Sequence, residues 1–209
     1  MIEHKKIYLA DIDWHSKIAG PWMTTTLFVQ GCRRACPGCF NPQTWDMSKQ
    51  FEMRADMIAN RLIDCVPYKR LSISGGEPML QARGLMDMLQ VLSRFENGSL
   101  SKWKILCYTG YTWEELTEDL ALGSAPLYFL QLVDILVDGA FDKEKALPIG
   151  EYQFVGSTNQ RVIDVKKSLK KKEIVLWKPS LKDWYYRVRD HNAVKENGVL
   201  SFKGRSYLV

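Results

Sequence analysis

Residues 24–39 read TTTLFVQGCRRACPGC. The first six are β-branched or apolar, the composition of a buried strand, and the segment runs through Gln30 into Gly31-Cys32. Three further segments end the same way. Residues 71–74 form a short strand that closes on Gly75-Gly76, residues 103–108 a third that closes on Thr109-Gly110, and residues 134–137 a fourth that closes on Asp138-Gly139. Between them lie helical spacings. Met53, Met57, Ile58, Leu62, Ile63 and Val66 mark one helix. Leu85, Met88, Leu89, Leu92 and Phe95 mark another, stopped by Asn97-Gly98. Thr112-Trp113-Glu114-Glu115 reads as a capping box that opens a third. Strands alternating with helices predict right-handed βαβ units and a parallel sheet, whose C-terminal edge gathers the loops that bind ligands. Four strands are too few for a closed eight-stranded barrel. The expected fold is α/β, an open partial (β/α) barrel.

The C-terminal part has a different character. Residues 173–177 are strand-like, residues 184–189 alternate, and Asn197-Gly198 is a strong hairpin signal. A small antiparallel addition is expected there, with residues 1–165 as the core and residues 166–209 as a basic extension packed on it. From residue 161 onward 13 Lys/Arg face 5 Asp/Glu, whereas the first 160 residues carry 16 against 19. The net charge of +5 therefore belongs to the tail. Two readings fit it: a docking surface for an acidic protein face or a nucleic acid, or an antiparallel cap with a solvated lysine connector at residues 166–172. No apolar run approaches the roughly 20 residues of a membrane span, and no signal-peptide pattern opens the chain, so a cytoplasmic location is expected.

Three of the five cysteines crowd into residues 32–39 with the spacing C-x3-C-x2-C. An odd, clustered set argues for metal binding over disulfides. Cys65 and Cys107 read as small buried hydrophobes. A closed zinc site takes four ligands, and here the fourth would have to be His4, His15 or a remote cysteine. A [4Fe–4S] cluster normally takes four thiolates; with three, one iron is left open to a substrate. Pro37 and Gly38 supply the tight turn that the short loop needs. From spacing alone both metals stay open. In Ser74-Gly75-Gly76-Glu77-Pro78, the two glycines at a strand end let backbone approach a ligand closely.

The cysteine loop followed by Gly75-Gly76-Glu77-Pro78 resembles the radical S-adenosylmethionine superfamily, and within it the activating proteins of anaerobic ribonucleoside-triphosphate reductases. The likeness rests on GCRRACPGCFN (residues 31–41), SGGEP (74–78), YTGYTWEEL (108–116), LVDGAF (136–141) and GSTNQ (156–160), in that order. It covers roughly residues 8–165. Phe40 follows the third cysteine, and Gly38 precedes it where an aromatic is frequent in the wider superfamily.

The resemblance implies a partial barrel of radical S-adenosylmethionine type. It implies one [4Fe–4S] cluster on Cys32, Cys36 and Cys39, with S-adenosylmethionine chelating the fourth iron. Gly75, Gly76 and Glu77 would line its methionine amino end, and Gly38, Cys39 and Phe40 would lie beside the cluster and S-adenosylmethionine. A flavodoxin-like donor would supply an electron. The 5′-deoxyadenosyl radical would abstract hydrogen from a glycine in the glycyl-radical subunit of the reductase, and nucleic acid is not an expected partner. The alternatives are a different glycyl-radical enzyme or peptide as target, or a non-catalytic zinc protein. Thr109, Gly110 and Asp138 join the site only through their strand-end positions. Arg33 and Arg34 read as cations beside an anionic cluster or as solvated loop charges. Asn159, Gln160 and Arg161 read as contacts to the partner's glycine loop or as sheet-closing residues, Trp45 as a cover for the cluster loop or a core residue, and His4, His15 and His191 as packing or surface residues.

Overall fold

The computed structural model describes residues 4–48, 51–66, 68–118, 124–147, 154–180, 194–196, 199–202 and 205–208. Its main body is a mixed seven-stranded sheet that does not close. Four strands form the parallel centre: β2 (Thr24–Val29), β4 (Arg70–Gly75), β5 (Lys104–Tyr108) and β6 (Ile135–Asp138). These are the four strands expected. On one side β2 pairs antiparallel with β1 (Lys6–Ser16), which pairs with β3 (Phe51–Arg54). On the other, β6 pairs antiparallel with β7 (Arg161–Asp164). The sequence reading placed no strand at β1. Its alternation changes phase midway: Ile7 and Leu9 face the core in the first half and Ile12 and Trp14 in the second, across the register shift after Leu9.

Two helices cover one face of the sheet, α1 (Ala55–Cys65) and α2 (Ala82–Phe95). Leu27, Val29, Leu71, Ile73, Ile105 and Cys107 point to that side and pack with Ile58, Leu62, Leu85, Met88, Leu89 and Leu92. The chain leaves α2 through Asn97 and Gly98, both at positive φ, and the Gly98 N–H caps the Ser93 carbonyl at 2.8 Å. The other face carries Leu106, Ile135 and Val137 packed with Trp22, Phe154 and Trp177. It also carries Thr24, Thr26 and Ser72, all fully buried. Central strands covered on both faces are what a parallel sheet requires.

Short helices α3 (Trp113–Glu118) and α4 (Ser124–Leu130) follow β5. The capping box at 112–115 is formed in full: the Glu115 N–H donates to Thr112 Oγ1 at 3.2 Å, and the Thr112 N–H to Glu115 Oε2 at 2.6 Å.

The lysine run is a helix, α5 (Val165–Lys171), capped by Asp164, whose side chain accepts the Lys167 N–H at 3.0 Å. Val165 and Ser168 are its buried face. Three of its lysines are in ion pairs, Lys166 with Asp134, Lys167 with Asp164 and Lys171 with Glu173. The segment expected as a strand at 173–177 lies instead along β7, through an isolated bridge between Leu176 and Ile163 and a Trp177 N–H bond to the Val162 carbonyl at 2.8 Å. Strands β8 (Val194–Glu196), β9 (Val199–Phe202) and β10 (Arg205–Leu208) form a small antiparallel sheet. Residues 184–189, His191 and the Asn197-Gly198 turn lie outside the described residues. Among the described residues no helix is long and apolar enough to cross a membrane.

Candidate functional site

The cysteine loop leaves β2 at Gly31, whose φ of +95° favours glycine, and is held from behind. The Gly31 N–H donates to the Thr44 carbonyl at 2.8 Å, and the Cys32 N–H to the Trp45 carbonyl at 3.2 Å. Trp45 thus supports the loop through its backbone. Between Cys36 and Cys39 the chain makes a type II turn. Pro37 presets the second position, Gly38 takes φ +74°, and the Cys39 N–H closes on the Cys36 carbonyl at 3.1 Å.

Backbone donors serve the sulfurs. The Arg34 N–H reaches Cys32 Sγ and the Asn41 N–H reaches Cys39 Sγ, both at 3.4 Å. The Phe141 N–H faces Cys36. Burial pushes the Cys36 thiol up, the Phe141 N–H opposes this, and Cys32 and Cys39 lie close enough for repulsion between thiolates to raise it further. Bound cationic iron would relieve that repulsion, and amide donors to cluster sulfurs tune its potential, so these residues fit an iron–sulfur group. Among the described residues no three His, Cys, Asp or Glu side chains converge as a one-ion site requires. His4 bonds Asp87 at 3.2 Å and His15 packs edge-on against Tyr68.

The Gly75-Gly76 loop is fastened directly to the cysteine loop. The Gly76 N–H donates to the Val29 carbonyl at 2.7 Å and the Glu77 N–H to the Gly31 carbonyl at 2.8 Å. A Cβ at Gly75 would lie 2.6 Å from the Val29 backbone, and one at Gly76 2.8 Å from the Gly31 carbonyl carbon. Both positions therefore exclude a side chain.

Glu77 is fully buried, and its carboxylate is occupied by the protein. Oε1 accepts from the Met79 N–H at 3.0 Å and the Thr109 hydroxyl at 2.8 Å, and Oε2 accepts from the Gly110 N–H at 2.8 Å. It fastens the third strand-end loop to the second. Burial raises its carboxyl and outweighs these donors, which favour the ionised form. From about pH 4.5 up to the raised value the folded state thus binds more protons than the unfolded state, so this group's contribution to stability falls as pH rises. Glu77→Gln removes that slope but turns an amide NH2 toward the Gly110 N–H. We expect a loss of about 2 kcal/mol near neutral pH, checked by urea unfolding across pH. Unchanged stability would mean that the three donors do not hold the loop.

Asp138, also fully buried, is occupied in the same way. It accepts the Trp113 N–H at 2.7 Å and pairs with Arg161, which also bonds Glu114. Arg161 holds Glu114 down at about 2. Gln160 donates to the Gly139 carbonyl and accepts from the Gly156 N–H, both at 2.9 Å, and Asn159 donates to the Ala140 carbonyl. Residues 159–161 thus close the sheet's end.

Phe40 is 57% exposed, its ring 4.9 Å from Phe141, and Gly156 leaves room for both. The structure adds to the site residues that the sequence had not placed there. Tyr111 and Glu115 receive the Arg34 side chain, and Lys143 lies against Gly38. Their segments are conspicuous in the sequence, but the pairings join positions about 80 residues apart for the first two and about 100 for the third.

Comparison with known proteins matches residues 18–163 to the 4Fe-4S single cluster domain. The chain is similar to the anaerobic ribonucleoside-triphosphate reductase-activating protein of Vibrio cholerae, 37% identical over 147 residues, 68% of this chain and 88% of that one. The same-named protein of Escherichia coli K12 is 33% identical over 149 residues, 69% and 90% of the two chains. A shorter likeness, 35% over 79 residues and about a third of each chain, links it to the pyruvate formate-lyase-activating enzyme of Clostridium pasteurianum.

Proposed function

Since this chain belongs to the 4Fe-4S single cluster domain family and to the family of the anaerobic ribonucleoside-triphosphate reductase-activating proteins, we propose that it is a radical S-adenosylmethionine enzyme that installs a glycyl radical on such a reductase. What supports the reading most is the direct fastening of the cysteine loop to the Gly75-Gly76 loop at Gly31–Glu77. It joins three thiols to a glycine-lined backbone at one sheet edge, where α/β folds bind ligands.

Cys32, Cys36 and Cys39 would hold one [4Fe–4S] cluster. When bound, the cluster would supply the electron that breaks the C5′–S bond of S-adenosylmethionine with release of methionine, and the 5′-deoxyadenosyl group so freed would supply the hydrogen-abstracting chemistry toward a glycine Cα. The chain's own part is to bind, orient and exclude water. Gly75 and Gly76 offer backbone to the methionine end, with Glu77 holding their loop in place. Gly38, Cys39 and Phe40 would lie beside the cluster and S-adenosylmethionine, with Phe141 packed on Phe40 and Lys143 against Gly38. In this reading the open sheet is the partial (β/α) barrel of the superfamily, residues 1–165 are its core, residues 166–209 are an extension, and a flavodoxin-like protein donates the electron.

The test is anaerobic reconstitution, followed by electron paramagnetic resonance of the reduced protein with and without S-adenosylmethionine, and then with the reductase added. The expected results are a cluster signal altered by S-adenosylmethionine and a new glycyl-radical signal in the reductase. Bound zinc, or a cluster signal indifferent to S-adenosylmethionine, would overturn the proposal. The likeness to the pyruvate formate-lyase-activating enzyme makes that lyase the comparison target. A radical on the lyase alone would reassign the partner and leave the chemistry standing.

A further inference from the structure

We propose that Arg34 is a positioning residue: it latches the cysteine loop onto the loop between β5 and α3, and so holds the cluster loop in register with the Gly75–Glu77 loop. The inference rests on the cysteines being the cluster site. Of the two neighbouring arginines, Arg33 is exposed, whereas Arg34 turns inward. Its backbone N–H serves Cys32 Sγ at 3.4 Å. Its guanidinium carbon lies 4.2 Å from the Tyr111 ring centroid, and Nη2 is 3.3 Å from Glu115 Oε2. That same oxygen accepts the Thr112 N–H of the capping box, so the receiving carboxylate is itself fixed.

The path of the side chain requires Gly110. A Cβ there would lie 2.8 Å from Arg34 Nε and 3.4 Å from Glu77 Oε2. Arg34 and the Glu77 carboxylate therefore meet over one glycine, whose N–H Glu77 binds. Nε is buried without a hydrogen-bond partner, an unfavourable placement that the stack and ion pair must offset. One chain of contacts thus runs from Cys32 through Arg34, Tyr111 and Glu115 to Gly110, and through Glu77 back to Gly31. Lysine cannot replace arginine here, because the contact needs a flat cation that stacks and reaches a carboxylate together.

Two measurements test the latch in the full chain. In the cluster-free protein under anaerobic conditions, iodoacetamide labelling of Cys32, Cys36 and Cys39 reads the order of the loop and requires no radical chemistry. In the reconstituted protein, the change in the reduced-cluster signal as S-adenosylmethionine is added reads its affinity. Arg34→Gln and Tyr111→Leu should each speed labelling and weaken S-adenosylmethionine binding by about tenfold, at unchanged iron content. The double variant should be no worse than either single one, and Arg34→Lys should fail to restore either property. Labelling or affinity within about twofold of the parent protein in both single variants would overturn the latch. Should Arg34→Gln not fold, Glu115→Gln, which keeps a capping oxygen, takes its place. If the parent protein takes up no cluster, the cluster reading fails by itself, while labelling still decides whether the latch exists.

Discussion

Cys36→Ala is expected to leave a folded protein that takes up no stable [4Fe–4S] cluster and cleaves no S-adenosylmethionine. The sheet and its helix-covered core lie elsewhere, and Cys36 is only half-buried in a surface loop, so the cost in stability is on the order of 0.5 kcal/mol. The cost in activity is total, because the cofactor carries the hard chemistry and among the described residues no spare ligand stands by. Among the described residues Cys107 is buried behind the sheet, with its thiol pushed well up by burial, and His4 and His15 are engaged at Asp87 and Tyr68. The rate should fall to the uncatalysed background, a factor of about a million or more for a typical enzyme. Iron content, the cluster's visible absorbance and 5′-deoxyadenosine release check this. Retained iron with retained cleavage would remove Cys36 from the ligand set.

The second large effect is expected from Gly76→Ala, a change of one methyl group. The new Cβ would enter the Gly31 carbonyl, and neither partner is the tip of a flexible side chain. To make room, the Glu77–Gly31 hydrogen bond must open, which displaces the residue next to Cys32. Overpacking against backbone costs about 3 kcal/mol, and a displacement of about 1 Å at the site lowers turnover about a hundredfold. A thermal melt separates the two contributions: cleavage is measured at a temperature where the variant is still folded. Near-parental turnover there would show that the two loops need not approach so closely.

Local signals carried far where their partners are close in the chain. Asn97-Gly98 ends α2 and residues 112–115 build their own cap, because each is satisfied within a few residues. Where a partner lay far away, the residues were silent. β1 is a strand because β2 and β3 flank it, its own alternation changing phase after Leu9. The lysine run hid α5, since charge dominates seven residues of which Val165 and Ser168 are the buried face. Glu77 had been expected beside the methionine end of S-adenosylmethionine. Three protein donors occupy its carboxylate, and two of them come from residues 109 and 110.

By itself, the sequence determined the α/β alternation, the four strand-end loops and a cluster of three metal-ligating thiols. Periodicity, turn residues and ligand type are written over short stretches of chain. Only the tertiary structure decided which loops touch, that Glu77 and Asp138 work as buried fasteners, and that Arg34 is received by Tyr111 and Glu115. The physical reason is that a buried polar group must find a partner wherever the fold brings one, and that choice is made across the sheet edge, not along the chain.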